Sequence, residues 1–388
     1  MFRKKIILTL VAVLMLLIVL GGCSSSTPIQ ENKSEPKEET KEQETITIGV
    51  FAPITGDWGV YGTGFERSVN MAFDEINAKG GVLGKKLVAK VMDDKGEPKE
   101  AASIAQQFAN DDSIAAIVGG FSSSCCMAAM PIYERASLSV MSPTASHKDL
   151  LNSKYFFRAI NSNKTEASYL ANWALEEFGK TAVTFGANND WGQDICNEFT
   201  IAFEAGGGKV LSNEPYSQDL KDFSSIITKA KSLNPDVVFL GSQFTDAALI
   251  LQQSKQLGFD TTFVASNGIQ DQGLIDVGGS GVNGVYTISE FFSDDPTPKA
   301  KEYLDKYDAK YGTNPGMYPA LAYDCAYMVA NAIEKAGSTD RNAIRDALEQ
   351  TKDFEGVTGV MTVGPDHDIQ KQMIKLTVKD EKFVVYNK

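Results

Sequence analysis

From residue 46 onward the chain alternates short apolar runs with segments of helical period, in two consecutive blocks. ITIGVFAPITG reads as a strand entering a loop broken by Pro53 and Gly56. Phe65, Val69, Ala72, Phe73 and Ile76 then share one helical face, and Lys79-Gly80-Gly81 closes that helix. KLVAKVMDD is a strand. Residues 98–110 form a helix with Ala102, Ile104, Ala105 and Phe108 inward. IAAIVGG is a strand, 124–136 a helix, and SLSVMSP and YFFRAI are strands. The rhythm then restarts. Helices over 165–178, 191–204, 223–232 and 245–257 alternate with the strands TAVTFGA, KVLSNEPY, PDVVFLGS and TTFVAS. Such spacing builds βαβ units, and hence parallel sheets covered on both faces. The body, 46–388, has the length of two domains rather than one. The expected fold class is therefore α/β, with two doubly wound parallel-sheet lobes. The tail differs. Residues 299–311, 318–336 and 341–351 read as helices, and VTGVMTV, KQMIKLTVKD and KFVVYNK as a final antiparallel set.

The front of the chain has other properties. Arg3, Lys4 and Lys5 precede a nearly unbroken apolar run over 6–20, followed by Leu20-Gly21-Gly22-Cys23. This pattern reads as a secretory signal over 1–22. The run is short of the roughly 20 residues that span a bilayer as a helix. LGGC resembles the bacterial lipobox, which implies that Cys23 is lipidated and becomes the new N-terminus. An uncleaved signal anchor is the alternative. One acyl chain anchors marginally and two anchor stably. Residues 23–45 are rich in Glu, Lys and Ser and have no aromatic residue. Too little apolar surface is present there to offset chain entropy, so a disordered tether is expected.

Charge and composition exclude several function classes. The net charge is −13, and it is more negative still without the three cations of the signal. An acidic body without a Lys/Arg cluster argues against nucleic acid and against docking on anionic lipid. Beyond Cys23, the cysteines are the adjacent Cys125 and Cys126 and the solitary Cys196 and Cys325. None fits a CxxC pair or a zinc spacing. Only two histidines are present, His147 and His367. No metal site and no cofactor are expected, and the body cysteines read as small buried hydrophobes.

Open parallel sheets place ligands beyond the carboxyl ends of their strands. The loops there are PITGDWGVYG, GGFSSSCC, SPTAS, ANNDWG, GSQFTD and SNGIQDQG. They are rich in hydroxyls, amides, glycine and aromatics, which describes a hydrogen-bonding pocket with apolar walls. FSSSCC lies between a strand and a helix. Its serines serve either as a plain N-cap or as part of an anion site built on unpaired helix N–H groups. A nucleophilic serine is disfavoured, because no GxSxG elbow surrounds 122–124 and the nearest histidine, His147, lies just past SPTAS.

TGDWGVYG, FDEINAKGGVLGKKL, IVGGFSSS, SVMSPTAS, NNDWGQD, YSQDLKDFSSIITKAKSLNPDVVFLGS and FFSDDPTPKAKEYLDKYDAKYG together resemble the leucine/isoleucine/valine-binding proteins. These are type I periplasmic binding proteins that serve ABC importers. The resemblance covers nearly all of 46–388. It implies two lobes joined by three crossovers, near 160–164, 289–292 and 354–357. The N-terminal lobe is then 46–162 plus 291–355, and the C-terminal lobe 163–290 plus 356–388. It further implies a monomer that closes on a small-molecule ligand, an amino acid or related small carboxylate, and delivers it to an ABC transporter permease. No catalysis is implied. A ligand sensor for a membrane receptor, or a binding protein for an amide or other non-amino-acid ligand, would look the same in sequence.

Position by position, Ser123 matches the serine that binds the ligand α-carboxylate, and Ser146 a hydroxyl residue touching both carboxylate and ammonium. Thr144 matches a residue whose carbonyl accepts from the ammonium. Tyr61 and Phe121 match pocket residues of the first lobe, with Trp58 as a further wall. Trp191 matches an aromatic that closes from the second lobe. Two positions depart from the pattern. Gln243 stands where the family has a tyrosine, and Asn267 where it has a glutamate that neutralises the ammonium. An amide brings no charge, and a charge-assisted bond is roughly twice as strong as a neutral one. Either Asp246 or Asp271 takes over, or the ligand is not a simple α-amino acid. Without a substitute carboxylate, Asn267→Asp should tighten the binding of leucine. The family's disulfide is absent, with Gly96 and Ser122 at its two positions.

Overall fold

The computed structural model describes residues 44–387. The signal 1–22, the lipidation site Cys23 and all but the last two residues of the tether lie outside them. The first sheet is built from β1 (Thr45–Ala52), β2 (Lys86–Asp93), β3 (Ile114–Gly119), β4 (Val140–Ser142) and β5 (Phe156–Arg158), in the order β2-β1-β3-β4-β5. Every neighbouring pair is parallel. β3 is buried along its whole length because helices cover both faces.

The period of two divides the side chains of these strands. Ile48, Val50, Ala116 and Val118 face a core shared with Phe65, Val69 and Phe73 of α1 (Gly59–Ala78). Phe51 and Ile117 face the opposite core, with α2 (Pro98–Ala109) and α3 (Ser123–Arg135). On α2 it is Ala101, not Ala102, that is buried with Ile104, Ala105 and Phe108.

The second lobe opens with α4 (Asn163–Glu177). It continues through β6 (Thr181–Ala187), α5 (Asp190–Ala205), β7 (Lys209–Tyr216), α6 (Ser224–Leu233), β8 (Val237–Gly241), α7 (Phe244–Gln256), β9 (Thr262–Ala265), α8 (Gln272–Gly278) and β10 (Tyr286–Ser289). α8 and β10 are too short for their periodicity to stand out in the sequence. The chain then returns to the first core through α9 (Pro298–Tyr311), α10 (Met317–Ala336) and α11 (Arg341–Glu349).

The tail separates into two parts. β11 (Phe354–Gly356), β12 (Gly359–Val363) and β13 (Ile369–Gln370) form a small antiparallel sheet. Met361, Val363 and Ile369 bury against the first core. Only β14 (Ile374–Lys379) and β15 (Lys382–Val385) join the second sheet, at its edge, in the order β15-β14-β10-β9-β8-β6-β7. The third passage between lobes therefore follows Gln370 rather than lying at 354–357, and the final strands are not one set.

Candidate functional site

The carboxyl ends of both parallel sheets open on one cavity of about 760 Å³. Trp58, Phe121, Ser123, Thr144, Ser146, Trp191, Gln243 and Asn267 all line it. Tyr61 does not.

The first wall begins at the end of β3. Gly119 has φ +143°, and a Cβ there would lie 2.3 Å from the Phe51 carbonyl. Only glycine fits, and the chain can then turn sharply into α3. Ser123 is the first residue of α3, not its cap. Ser122 occupies the cap position with an extended backbone and makes no side-chain capping bond. The first N–H groups of α3 thus carry no side-chain cap, which sets aside the plain N-cap alternative for these serines. Ser123 Oγ instead accepts from the His147 N–H at 3.3 Å, which ties the two hydroxyl-rich loops together. Thr144 Oγ1 donates to the Phe121 carbonyl at 2.9 Å. Beneath this loop the fully buried Arg158 donates to the carbonyls of Ala145 and His147, both at 3.3 Å. Ser146 Oγ donates to Asn163 Oδ1 at 2.7 Å, and Asn163 Nδ2 donates to Asp194 Oδ2 at 2.9 Å. The 143–147 loop is therefore linked to the second lobe as well.

An aromatic cluster forms the apolar side. Phe121 stacks on Tyr61 with centroids 4.9 Å apart, and Trp58 and Tyr318 lie 5.7 and 5.6 Å from Phe121. Tyr61 sits behind these rings, and its hydroxyl donates to Asp271 Oδ2 at 3.1 Å. Asp271 also caps α8 through Gly273 at 2.7 Å, so it is committed elsewhere and does not line the cavity. Asp246 does line it, and burial pushes its carboxyl up to about 6 against the opposing hydrogen bond of Tyr216.

The second wall carries Gln243, just before α7, and Asn267, just after β9. Gln243 Oε1 is buried without a hydrogen-bond partner among the described residues. Behind Asn267 lie two carboxylates that sequence reading missed. The Asn267 N–H donates to Glu166 Oε1 at 2.6 Å, and its Nδ2 donates to Glu290 Oε2 at 3.3 Å. Tyr318 is a third omission. These residues come from α4, the end of β10 and α10, far apart in sequence. The one available signal was a charge amid apolar neighbours, as in YTISEFF.

Glu166 is fully buried, and desolvation, with the charge of Glu290 second, pushes its carboxyl up to about 8. The native state therefore holds this proton to higher pH than the unfolded chain. Its contribution to stability falls as pH rises from about 4.5 to about 8 and is flat beyond. Glu166→Gln keeps an acceptor for the Asn267 N–H and removes the titration. Its melting temperature should exceed the wild-type value by a margin that widens from pH 5 to pH 8. That margin should reach at least about 1 kcal/mol, or roughly 2 °C, in melts run at four pH values. A margin that does not change with pH would show that Glu166 titrates normally.

The lobes also meet outside the cavity. Lys148, from the first lobe, pairs with Glu198 and, at 3.4 Å, with Asp194 on α5. Cys125, Cys126, Cys196 and Cys325 are free and buried, and burial pushes the thiols of Cys126 and Cys196 up to about 12. Among the described residues no cluster of three or more His, Cys, Asp or Glu has the arrangement of a metal site, and no helix is long and apolar enough to cross a membrane.

The geometry matches known proteins. The family model described as periplasmic binding protein matches residues 45–382. A leucine-, isoleucine-, valine-, threonine- and alanine-binding protein of Pseudomonas aeruginosa is 29% identical over 81% of this chain and 85% of its own length. The crystal structure of a leucine-binding protein, LivK, from Thermotoga maritima superposes with a TM-score of 0.82 at 27% identity. It covers 88% of this chain and 98% of the other. LivJ, the branched-chain amino acid transporter substrate-binding protein of Streptococcus pneumoniae, was solved with isoleucine. It gives a TM-score of 0.80 at 30% identity, with 88% and 98% of the two chains covered. Two doubly wound lobes bordering a shared cavity, matched over nearly the whole body, place the chain in the periplasmic binding protein family, whose members bind solutes and are not enzymes.

Proposed function

We propose that this protein is an extracytoplasmic, lipid-anchored receptor that captures an amino acid of the branched-chain type, or a related small carboxylate, and delivers it to an ABC permease. One observation carries the reading. The first wall offers a carboxylate hydroxyl groups and uncapped helix N–H groups, the sides are aromatic, and no cationic side chain is needed. The names of the relatives support the ligand class and the transport role. LGGC and the acidic tether support anchoring through Cys23, with the body acting as a monomer. A thermal-shift screen of amino acids and small carboxylates tests the capture. A ligand at 100 times its Kd should raise stability by about 2.7 kcal/mol. No shift from any of them would sink the ligand class. Cys23→Ala should release the protein from membranes, and unchanged partition would sink the anchor.

A further inference from the structure

We propose that Arg158, which does not reach the cavity, is a positioning residue for binding. It holds the carbonyls of Ala145 and His147 down, and so fixes the Ser146 N–H as a donor toward the cavity and bars a carbonyl oxygen from that place. This inference rests on the capture reading above and assigns to a buried residue the polarity of the first wall. Accounting for the backbone of the loop leads to it. The N–H groups of Thr144 and Ala145 donate to Ser142 Oγ at 3.4 and 3.0 Å. The His147 N–H donates to Ser123 Oγ at 3.3 Å, and the Lys148 N–H to Asp194 Oδ2 at 3.2 Å. The Ser146 carbonyl accepts from the Asn163 N–H at 2.8 Å. Over 144–148 the Ser146 N–H alone has no acceptor among the described residues, although Ser146 is 2% exposed.

Arg158 determines where that N–H points. Its Nη1 donates to the carbonyls on either side of Ser146, those of Ala145 and His147, both at 3.3 Å. The Ala145–Ser146 peptide is trans, so its carbonyl and its N–H face opposite ways. With the carbonyl on the guanidinium, the N–H faces away from it. Ser146 lines the cavity and Arg158 does not. Turning the peptide over would set the N–H against the guanidinium, donor to donor, and would present a carbonyl oxygen to an incoming carboxylate. The guanidinium has little other employment. Nε lies 3.4 Å from Asp368 Oδ1 without hydrogen-bond geometry, and Nη2 has no partner among the described residues. Every hydrogen bond that this fully buried cation makes thus goes to the loop that carries Ser146. Asp368 in turn accepts from the hydroxyls of Ser162 and Thr165, so the pair is anchored where α4 begins.

Calorimetry on the full chain tests this with the twenty L-amino acids and, for each that binds, its carboxamide. Arg158→Met combined with Asp368→Asn removes the donor together with the buried charge that it faces. The double variant should bind the amino acid at least roughly 10-fold more weakly, as expected for losing a hydrogen bond to a charged group. The carboxamide should lose less, because a bond to a neutral acceptor is weaker, so the preference for carboxylate over carboxamide should shrink. Arg158→Lys keeps ammonium donors under the loop and should recover most of that preference. Asp368→Asn alone leaves the hold on the two carbonyls and should keep it in full. Equal losses for amino acid and carboxamide, or a preference lost in Asp368→Asn alone, would mean that the ion pair only holds the fold, and would overturn the proposal. If the double variant does not fold, the crystal structure of the wild type with its amino acid decides. The Ser146 N–H should donate to the carboxylate, and a Ser146 N–H bonded elsewhere overturns the inference. Silence from every amino acid counts against the capture reading alone. Ligand-free crystal structures of the wild type and of Arg158→Lys or the double variant then decide this one, and an Ala145 carbonyl that points into the cavity in the wild type overturns it.

Discussion

Asp324→Ala is expected to cost about 3–5 kcal/mol of stability, the range for removing one partner of a buried charged network. Asp324 lies on α10, is 2% exposed, and accepts from the N–H groups of Val357 and Thr358 at 2.7 and 2.9 Å and from the Thr358 hydroxyl. These residues form the turn between β11 and β12. Lys371 adds a cation. Its Nζ donates to that same hydroxyl and, at 3.2 Å, to the Ala159 carbonyl. One carboxylate thus joins α10, the small sheet and the first passage between lobes. A Cβ on Gly356 would meet Asp324 Oδ2 at 2.4 Å, so no larger residue fits that turn. Alanine would strand two buried N–H groups and remove one of the two carboxylate charges, Glu290 and Asp324, that offset the buried Lys371 ammonium.

Burial nevertheless outweighs these bonds and raises the Asp324 carboxyl above its ordinary value. The charge is costly even when paired. Asp324→Asn combined with Lys371→Met should therefore lose less than Asp324→Ala alone. Urea unfolding without ligand measures both. A loss under about 1 kcal/mol for Asp324→Ala would show that the turn holds itself, since surface-like substitutions stay within that range.

The alternation of elements was legible because a parallel strand covered on both faces must be apolar throughout, as IAAIVG is, and a covering helix must show one apolar face. Which sheet a strand joins is a different matter. VTGVMTV and KQMIKLTVKD both carry an apolar set at period two, yet the first packs on the core of the first lobe and the second edges the other sheet. Their partners are decided by tertiary contacts that no local pattern records. The site divides in the same way. Loops after parallel strands had to converge, so the hydroxyl and amide residues could be named in advance. Glu166, Glu290 and Tyr318 could not, because they reach the site from crossovers and a distant helix. Their absence from the reading altered the meaning of Asn267. Asp246 and Asp271 were the expected substitutes for a glutamate there. Asp271 turns out to bond Tyr61 and cap α8, whereas Glu290 bonds the Asn267 amide directly. The condition under which Asn267→Asp should tighten leucine binding, that no carboxylate stands nearby, is therefore not met.

Ser123→Ala should weaken the first ligand that the thermal screen returns by roughly 10- to 150-fold, equivalent to about 1.5–3 kcal/mol for a hydrogen bond to a buried charge, and Ser146→Ala should match it if the bound anion takes over the single hydroxyl proton that Ser146 gives to Asn163. The two differ in what else they disturb. Ser123 Oγ accepts from the His147 N–H, so alanine leaves a buried donor unpaired and should cost some stability as well. Ser146 Oγ donates to Asn163, whose amide in turn holds Asp194 on the second lobe. Its loss should loosen the link between the loop and α5, and so should show more in the rate of ligand release than in the unfolding midpoint. Unfolding and calorimetry on the same samples separate these effects. If Ser123 served only as structure, its alanine variant would lose stability and keep its affinity. If Ser146 served only to link the lobes, its variant would lose affinity equally for any ligand, carboxylate or not. A loss confined to carboxylate ligands in both variants requires both hydroxyls to face the anion. Unchanged affinity in both would place the ligand elsewhere in the cavity.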